Sequence, residues 1–278
     1  MFTKNDSPAL DIPIDDLLAG WGQVASDPLL SEHTLLQLAR GRGTFRTGGV
    51  PVGAIVTLVE ASDGPGGLIE VAGASAEAQR RLWQAMEPDI VALAAEHGLD
   101  PLVLIDRQGL TSGQPSAGSV VRMRLGTGDI GSAPAGERMR PGDIDDILAV
   151  INRAFEGHPE NGNWTSADLD DRMDQPWFDP DGVLVERTER GAVVGFCWTK
   201  VHGDGVGEIY LLAVHPDLAG QGTGKDLVMR GLAYLRDEAK CPEVIVYSAG
   251  NNKIARGIYE GLGFRVDRVD HRVVINQY

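Results

Sequence analysis

Cysteine is scarce: Cys197 and Cys241 are the two in 278 residues, and neither stands in a metal-ligand or redox spacing. No disulfide framework can be built on them, and a reduced, cytoplasmic setting without a metal is the expectation. Positive charge is also in short supply. Lys and Arg number 25 against 40 Asp and Glu, a net charge of −15, and no basic stripe offsets that field. This argues against nucleic acid as a partner. A small phosphorylated ligand stays open, because backbone amides can hold one whatever the overall charge. Long apolar runs are missing, and the N-terminal MFTKNDSP lacks the hydrophobic core of a signal peptide, so no membrane partner is expected. What is present is a globular composition, 42% hydrophobic, in a chain long enough for one large domain or two ordinary ones.

Periodicity predicts helices within 8–22 and 27–40, the second with Ser31 as N-cap, then a strand over 50–60, a hairpin turn at 63–67 and a returning strand over 68–71. A helix follows over 76–96, which Pro88 should kink, and then strands over 101–106 and 119–125. Residues 126–136, GTGDIGSAPAG, read as a linker. A second cycle begins with a strand over 137–140 and a helix over 144–156 capped by Asp143. After a polar loop, Thr165 or Ser166 caps a short helix. Strands over 182–186, 192–200 and 207–214, a helix over 225–239, a strand over 244–248 and a helix over 252–262 follow. Strands over 264–269 and 272–275 close the chain. The similar order of elements suggests an internal duplication, with domains at 1–130 and 131–278.

The stretch richest in chemistry is Leu211–Lys225, LLAVHPDLAGQGTGK. A strand, a glycine-rich turn and a helix start in that order converge backbone N–H groups on an anion, with the helix dipole adding positive potential. A phosphate or pyrophosphate is the ligand this predicts; a plain tight turn is the alternative. The first half reads VAGASAEAQRR at the corresponding place, without the Gly-x-Gly. One half then carries the activity, and the other packs against it or shapes the substrate site.

Ala219-Gly220-Gln221-Gly222-Thr223-Gly224, with Asn252-x-x-Ala255-x-x-x-Tyr259-x-x-x-Gly263-Phe264 about thirty residues on, resembles the GCN5-related N-acetyltransferases. That family's loop reads Q/R-x-x-G-x-G/A, so the glycines fit and Ala219 departs, removing one side-chain donor or cation near the phosphates. Further stretches resemble the mycothiol synthases, a tandem branch of the family: Ala154-Phe155-x-x-His158-Pro159-Glu160, Trp177–Gly182, Trp198–His202 and Gly207–Tyr210. The likeness is close over 138–274 and faint before it. It implies an α+β, mixed α/β fold of two acetyltransferase-like domains, each a mostly antiparallel sheet flanked by helices. It also implies acetyl-CoA as co-substrate, and as acceptor the cysteine amine of cysteinyl-glucosaminyl-inositol, a small aminosugar–inositol thiol. A monomer is the working expectation. Acetylation of another small amine or a peptide N-terminus, or a non-catalytic acyl-CoA-binding module, are the alternatives.

An α-amino group titrates near pH ~8, so freeing it at neutral pH costs only about 1 kcal/mol and a modest base suffices. Positioning and carbonyl polarisation should carry more of the barrier. By the resemblance, Glu208 is the base, against a rim carboxylate, and Tyr259 the acid for the departing thiolate, against a core tyrosine. Leu212, Ala213 and Val214, where the family's strand bulges, offer backbone to the thioester and pantetheine. Ala219, Gly220, Gln221, Gly222, Thr223, Gly224 and Lys225 cradle the pyrophosphate, with the three glycines keeping Cβ atoms away. Asn252, Lys253, Ile254, Ala255, Arg256 and Gly257 complete the cofactor site, Asn252 at the pantetheine amides or as an N-cap. Glu32, Glu160, Lys200, Tyr247 and Glu208 line the acceptor site.

Overall fold

The computed structural model describes residues 13–21, 27–48, 53–61, 66–134, 136–156 and 164–275. Two compact units divide the chain: Met1–Val120 with Val269–Tyr278, and Val121–Arg268.

In the first unit, α1 (Ile14–Gly20) and α2 (Glu32–Ala39) precede β1 (Gly43–Gly48), β2 (Ala54–Glu60) and β3 (Gly67–Gly73), then α3 (Ala76–Glu96) and β4 (Leu102–Asp106). Strands β1, β2 and β3 pair antiparallel in sequence, β3 pairs parallel with β4, and the C-terminal residues His271–Ile275 add an antiparallel strand to β4. Ser31 caps α2 as expected, its hydroxyl accepting from Thr34 N. Ser75 caps α3 in the same way, and that helix runs on through Pro88. Leu82, Trp83, Ile90 and Ala94 form its buried face and pack on Val56, Leu58 and Ile69 of the sheet. Each large side chain so buried is worth about 1.5–3 kcal/mol.

The second unit holds the end of β5 (Ser116–Gly126), then β6 (Glu137–Arg138), α4 (Ile144–Ala154), α5 (Ser166–Met173), β7 (Val183–Arg187), β8 (Val193–Val201), β9 (Gly207–Val214), α6 (Thr223–Asp237), β10 (Glu243–Ala249), α7 (Lys253–Gly261) and the start of β11 (Arg265–Ile275). Its strand order is β5-β10-β9-β8-β7-β6. The pairs β6–β7, β7–β8 and β8–β9 are antiparallel, and β9–β10 is parallel. Helices cover both faces. α6 and α7 pack with Ile209, Cys197 and Val246 on one, and α4 and α5 with Phe196, Trp198 and Leu211 on the other. Close approach of α6 depends on Gly231, where a Cβ would stand 2.6 Å from Cys197 Sγ.

Several local expectations shift. The two strands expected at the C-terminus are one, β11, and its last residues belong with the first unit because β4 offers an open edge to them. Strand β1, GTFRTG, has no apolar alternation and was not foreseen; its pairing with β2 makes it a strand. Asp143 stands at the N-cap of α4 but makes no side-chain cap. Its carboxylate takes Arg140 N at 2.6 Å and Arg187 Nη2 at 2.6 Å instead, and Arg187 holds it below the usual carboxylate range despite partial burial.

Candidate active site

The register of β8 against β9 slips once. Trp198 pairs with Leu211, but Thr199 pairs with Ile209, leaving Tyr210 as the extra residue of a bulge. The expected bulge at Leu212–Val214 therefore lies two residues earlier. The slip puts consecutive side chains on one face: Tyr210 and Leu211 both turn toward α4 and α5, whereas Ile209 and Leu212 turn toward α6 and α7. On the far edge of β9, pairing with β10 ends at Ile209↔Val246. Beyond that point Leu212, Ala213 and Val214 have β8 on one side and, among the described residues, no strand on the other. That open backbone is the position expected for pantetheine.

The open edge leads to the glycine turn. Gly220 has φ +77° and Gly222 φ +88°, left-handed conformations that favour glycine. Gly222 is the N-cap of α6 and offers no side-chain cap, so the amides of Thr223, Gly224 and Lys225 keep their hydrogen-bonding capacity. The helix begins at Thr223, two residues before the expected start. Gly224 has a different reason from its neighbours: it lies in the first turn of the helix, and a Cβ there would meet Ile258 Cδ1 at an ordinary 3.6 Å. Ala219 and Lys225 are exposed, and Gln221 folds back on Asp217 O at 3.1 Å. On α7, Asn252 Oδ1 accepts from Ala255 N at 3.0 Å. The cap occupies that oxygen and leaves the amide N–H₂ as a donor, so the cap does not exclude a contact with the pantetheine amides. Lys253 and Gly257 are exposed, Ile254 is 82% exposed, and Arg256 pairs with Glu260 at 2.9 Å.

Tyr259 is 4% exposed and packs edge-on to Phe264 with centroids 5.7 Å apart. Burial, with Cys197 nearby, pushes its phenol well above the ordinary value, so the proton stays on. The tyrosine is thus part of the α6/α7 core and keeps its O–H.

Glu208 is 7% exposed and lies on the opposite face from Ile209. Its Oε2 is 2.7 Å from His202 Nε2. Lys200 stands directly opposite in the β8–β9 register, its ammonium 4.3 Å from the centre of the Trp177 ring and 5.3 Å from that of Tyr210. The Trp177 and Tyr210 rings lie 4.8 Å apart by their centres, tilted at 54°. Tyr247 follows Val246 on β10, and Arg268 lies 5.8 Å from its ring centre. Burial raises the Tyr247 phenol, Arg268 and Arg122 pull it back, and Glu208 adds to the rise. Arg122 is itself gripped by Asp267 at 2.9 Å, which Arg122 and Arg124 hold below the usual range against the effect of burial.

The structure thus gathers Glu208, Lys200 and Tyr247 on one face, and the glycine turn, Asn252 and Tyr259 with the helices of the other. Glu32 is the first residue of α2 in the first unit, and Glu160 lies outside the described residues. His202, Trp177, Tyr210, Arg122 and Arg268 stand beside them but were not among the expected site residues, although Trp177, His202 and Tyr210 lie in stretches that carry the resemblance. Pairing the strands across the short Gly-Asp-Gly turn at 203–205 would have put His202 near Glu208; the bulge that aims Tyr210 has no sequence signal.

The segment that holds the parallel β9–β10 pair, the glycine turn and α7 is matched by the model of the acetyltransferase (GNAT) family, over residues 145–264. A tandem GNAT protein from the clavulanic acid biosynthesis pathway shares the fold with TM-score 0.67 at 14% identity, over 94% of this chain and 92% of that one. A GCN5-related N-acetyltransferase from Sphaerobacter thermophilus does so with TM-score 0.61 at 17% identity, over 80% and 77%. A mycothiol acetyltransferase of Thermobifida fusca is 35% identical over 85% of each chain. The chain belongs to the mycothiol acetyltransferase family. The mycothiol acetyltransferase of Salinispora arenicola is 48% identical over 130 residues, 45% of this chain and 42% of that protein; in several such relatives the match spans under half their length. No helix among the described residues is long and apolar enough to cross a membrane.

Proposed function

We propose that this chain transfers the acetyl group of acetyl-CoA to the cysteine amine of cysteinyl-glucosaminyl-inositol, the last step of mycothiol biosynthesis. The observation that carries the reading is the parting of β9 from β10 after Ile209, with a buried carboxylate before the gap and an uncapped helix start after it. The amides at 222–225 would take the pyrophosphate, and the free edge of Leu212–Val214 the pantetheine. The thioester would then lie beside Glu208. Glu208 removes a proton from the amine, nitrogen attacks the thioester carbon, and the C–N bond forms as the C–S bond breaks. The sulfur leaves as a thiolate, to which Tyr259 donates a hydrogen bond. A coenzyme thiol is acidic enough, near pKa ~8.5, that the tyrosine need not surrender its proton. Lys200, Tyr247 and the Trp177–Tyr210 pair would present donors and an aromatic wall to the polyhydroxylated acceptor, with Glu160 as a further contact.

The test is purified protein with acetyl-CoA and the cysteinyl-glucosaminyl-inositol amine, following thiol release. No acetylation at millimolar amine would overturn the reading. A panel including aminoglycosides and peptide N-termini separates it from acetylation of another amine. If the chain only binds acyl-CoA, Glu208→Gln changes nothing in the assay.

A further inference from the structure

We propose that His202 is a positioning residue for Glu208, holding one carboxylate oxygen so that the other meets the acceptor amine. The inference rests on the reading of Glu208 as the base. His202 directly follows β8, and its backbone is pinned: its N–H donates to Val206 O at 2.9 Å, and its carbonyl accepts from Gly205 N at 2.9 Å. The turn so formed returns the chain and brings the imidazole beside Glu208 of the next strand. Nε2 and Oε2 are 2.7 Å apart, with side chains 8% and 9% exposed. At that distance a proton lies between them, and an Nε2–H donated to the carboxylate fixes that oxygen in place. Oε1 takes no hydrogen bond among the described residues and is not one of the sealed, unpartnered polar atoms. One oxygen anchored and one reachable is the geometry a base needs, because a carboxylate free to rotate would spend part of its time aimed elsewhere.

Other charged and titratable groups surround the pair. Lys200 faces Glu208 from β8, and Asp204 stands in the connecting turn, its carboxylate bound to Val206 N at 3.3 Å. Tyr247 approaches from β10, with Arg122 of β5 and Arg268 of β11 acting on it. All of these remain when only the imidazole is removed, so a change caused by that removal belongs to His202.

The experiment compares His202→Phe, His202→Gln and Glu208→Gln with the parent for kcat, KM and acetyl-CoA Kd. His202→Phe should lower kcat about ten- to a hundredfold, the worth of a hydrogen bond to a charged group. Its acetyl-CoA Kd and its KM for the amine should stay near the parent values. His202→Gln keeps an N–H donor and should recover most of the rate. Thermal melts identify a folding failure, and His202→Ala replaces His202→Phe in that event. Parent-like kcat in the non-donor variant, beside a depressed Glu208→Gln, would overturn the positioning role and leave the base reading intact. An inactive parent, or a Glu208→Gln as fast as the parent, would instead overturn the base reading. The infrared carboxylate band of Glu208 at fixed pH then decides the contact by itself: a band shifted between the parent and His202→Phe supports it, and an unshifted band overturns it.

Discussion

The two units set the same strand–helix–strand order, β3-α3-β4 and β9-α6-β10, to opposite ends. In the first, β2 and β3 pair without a slip from Ala54↔Gly73 to Glu60↔Gly67. The amide of Ala74 is bound to Gly53 O at 3.0 Å, and Ser75 caps α3. The buried carboxylate there, Glu70 at 0% exposure, accepts from Ser31 N at 2.8 Å, from the Ser31 hydroxyl, from Thr34 Oγ1 at 2.8 Å and from Arg107 at 3.2 Å. In the second, the hairpin slips at Tyr210, the helix start is uncapped, and Glu208 has one hydrogen-bond partner among the described residues. Polar groups satisfied within the chain become structure, whereas those left open are available to a ligand.

That contrast can be broken at four points. Glu208→Gln should cost the most, about 10²–10⁴ in kcat with little change in acetyl-CoA Kd and in the melting temperature. Removing the other carboxylate should do the reverse. Glu70→Ala leaves Arg107 paired with Asp270 but strips the Ser31 and Thr34 donors of their buried acceptor, and should destabilise by roughly 1–3 kcal/mol, read by denaturant melts. A large loss of turnover from Glu70→Ala with no loss of stability would end the division of labour between the units. Gly222→Ala places a side chain at φ +88°; the strain of about 1–2 kcal/mol should appear mainly as weaker acetyl-CoA binding, measurable by calorimetry. Ser75→Ala, at the matching helix start, should cost about 1 kcal/mol of stability through the lost cap, with acetyl-CoA Kd unmoved.

Much of this was legible before folding. The apolar run in 207–214 and the glycines at 220 and 222 placed β9 and its turn, because a short apolar run bounded by turn residues and a left-handed turn are local properties. Ser31 caps α2 as expected, Thr165 rather than Ser166 caps α5, and Asn252 caps α7, one of the two readings open for it. The failures share a cause. The bulge at Tyr210, the joining of two expected strands into β11, and the use of Asp143 by Arg187 rather than as a cap each depend on a partner distant in sequence. Gly224 resembles Gly220 and Gly222 in the motif, yet its backbone angle and surroundings differ from theirs.

The sequence by itself determined the element order, the glycine turn, the scarcity of cysteine and basic charge, and the family, because each is carried by residue type and short spacing. Tertiary structure alone decided which polar groups were left over. It set Lys200 opposite Glu208, His202 on Glu208, and Trp177 against Tyr210, and it ended the β9–β10 pairing at Ile209. Those outcomes follow from how strands register and part, and a one-residue slip in register moves a side chain to the other face of a sheet.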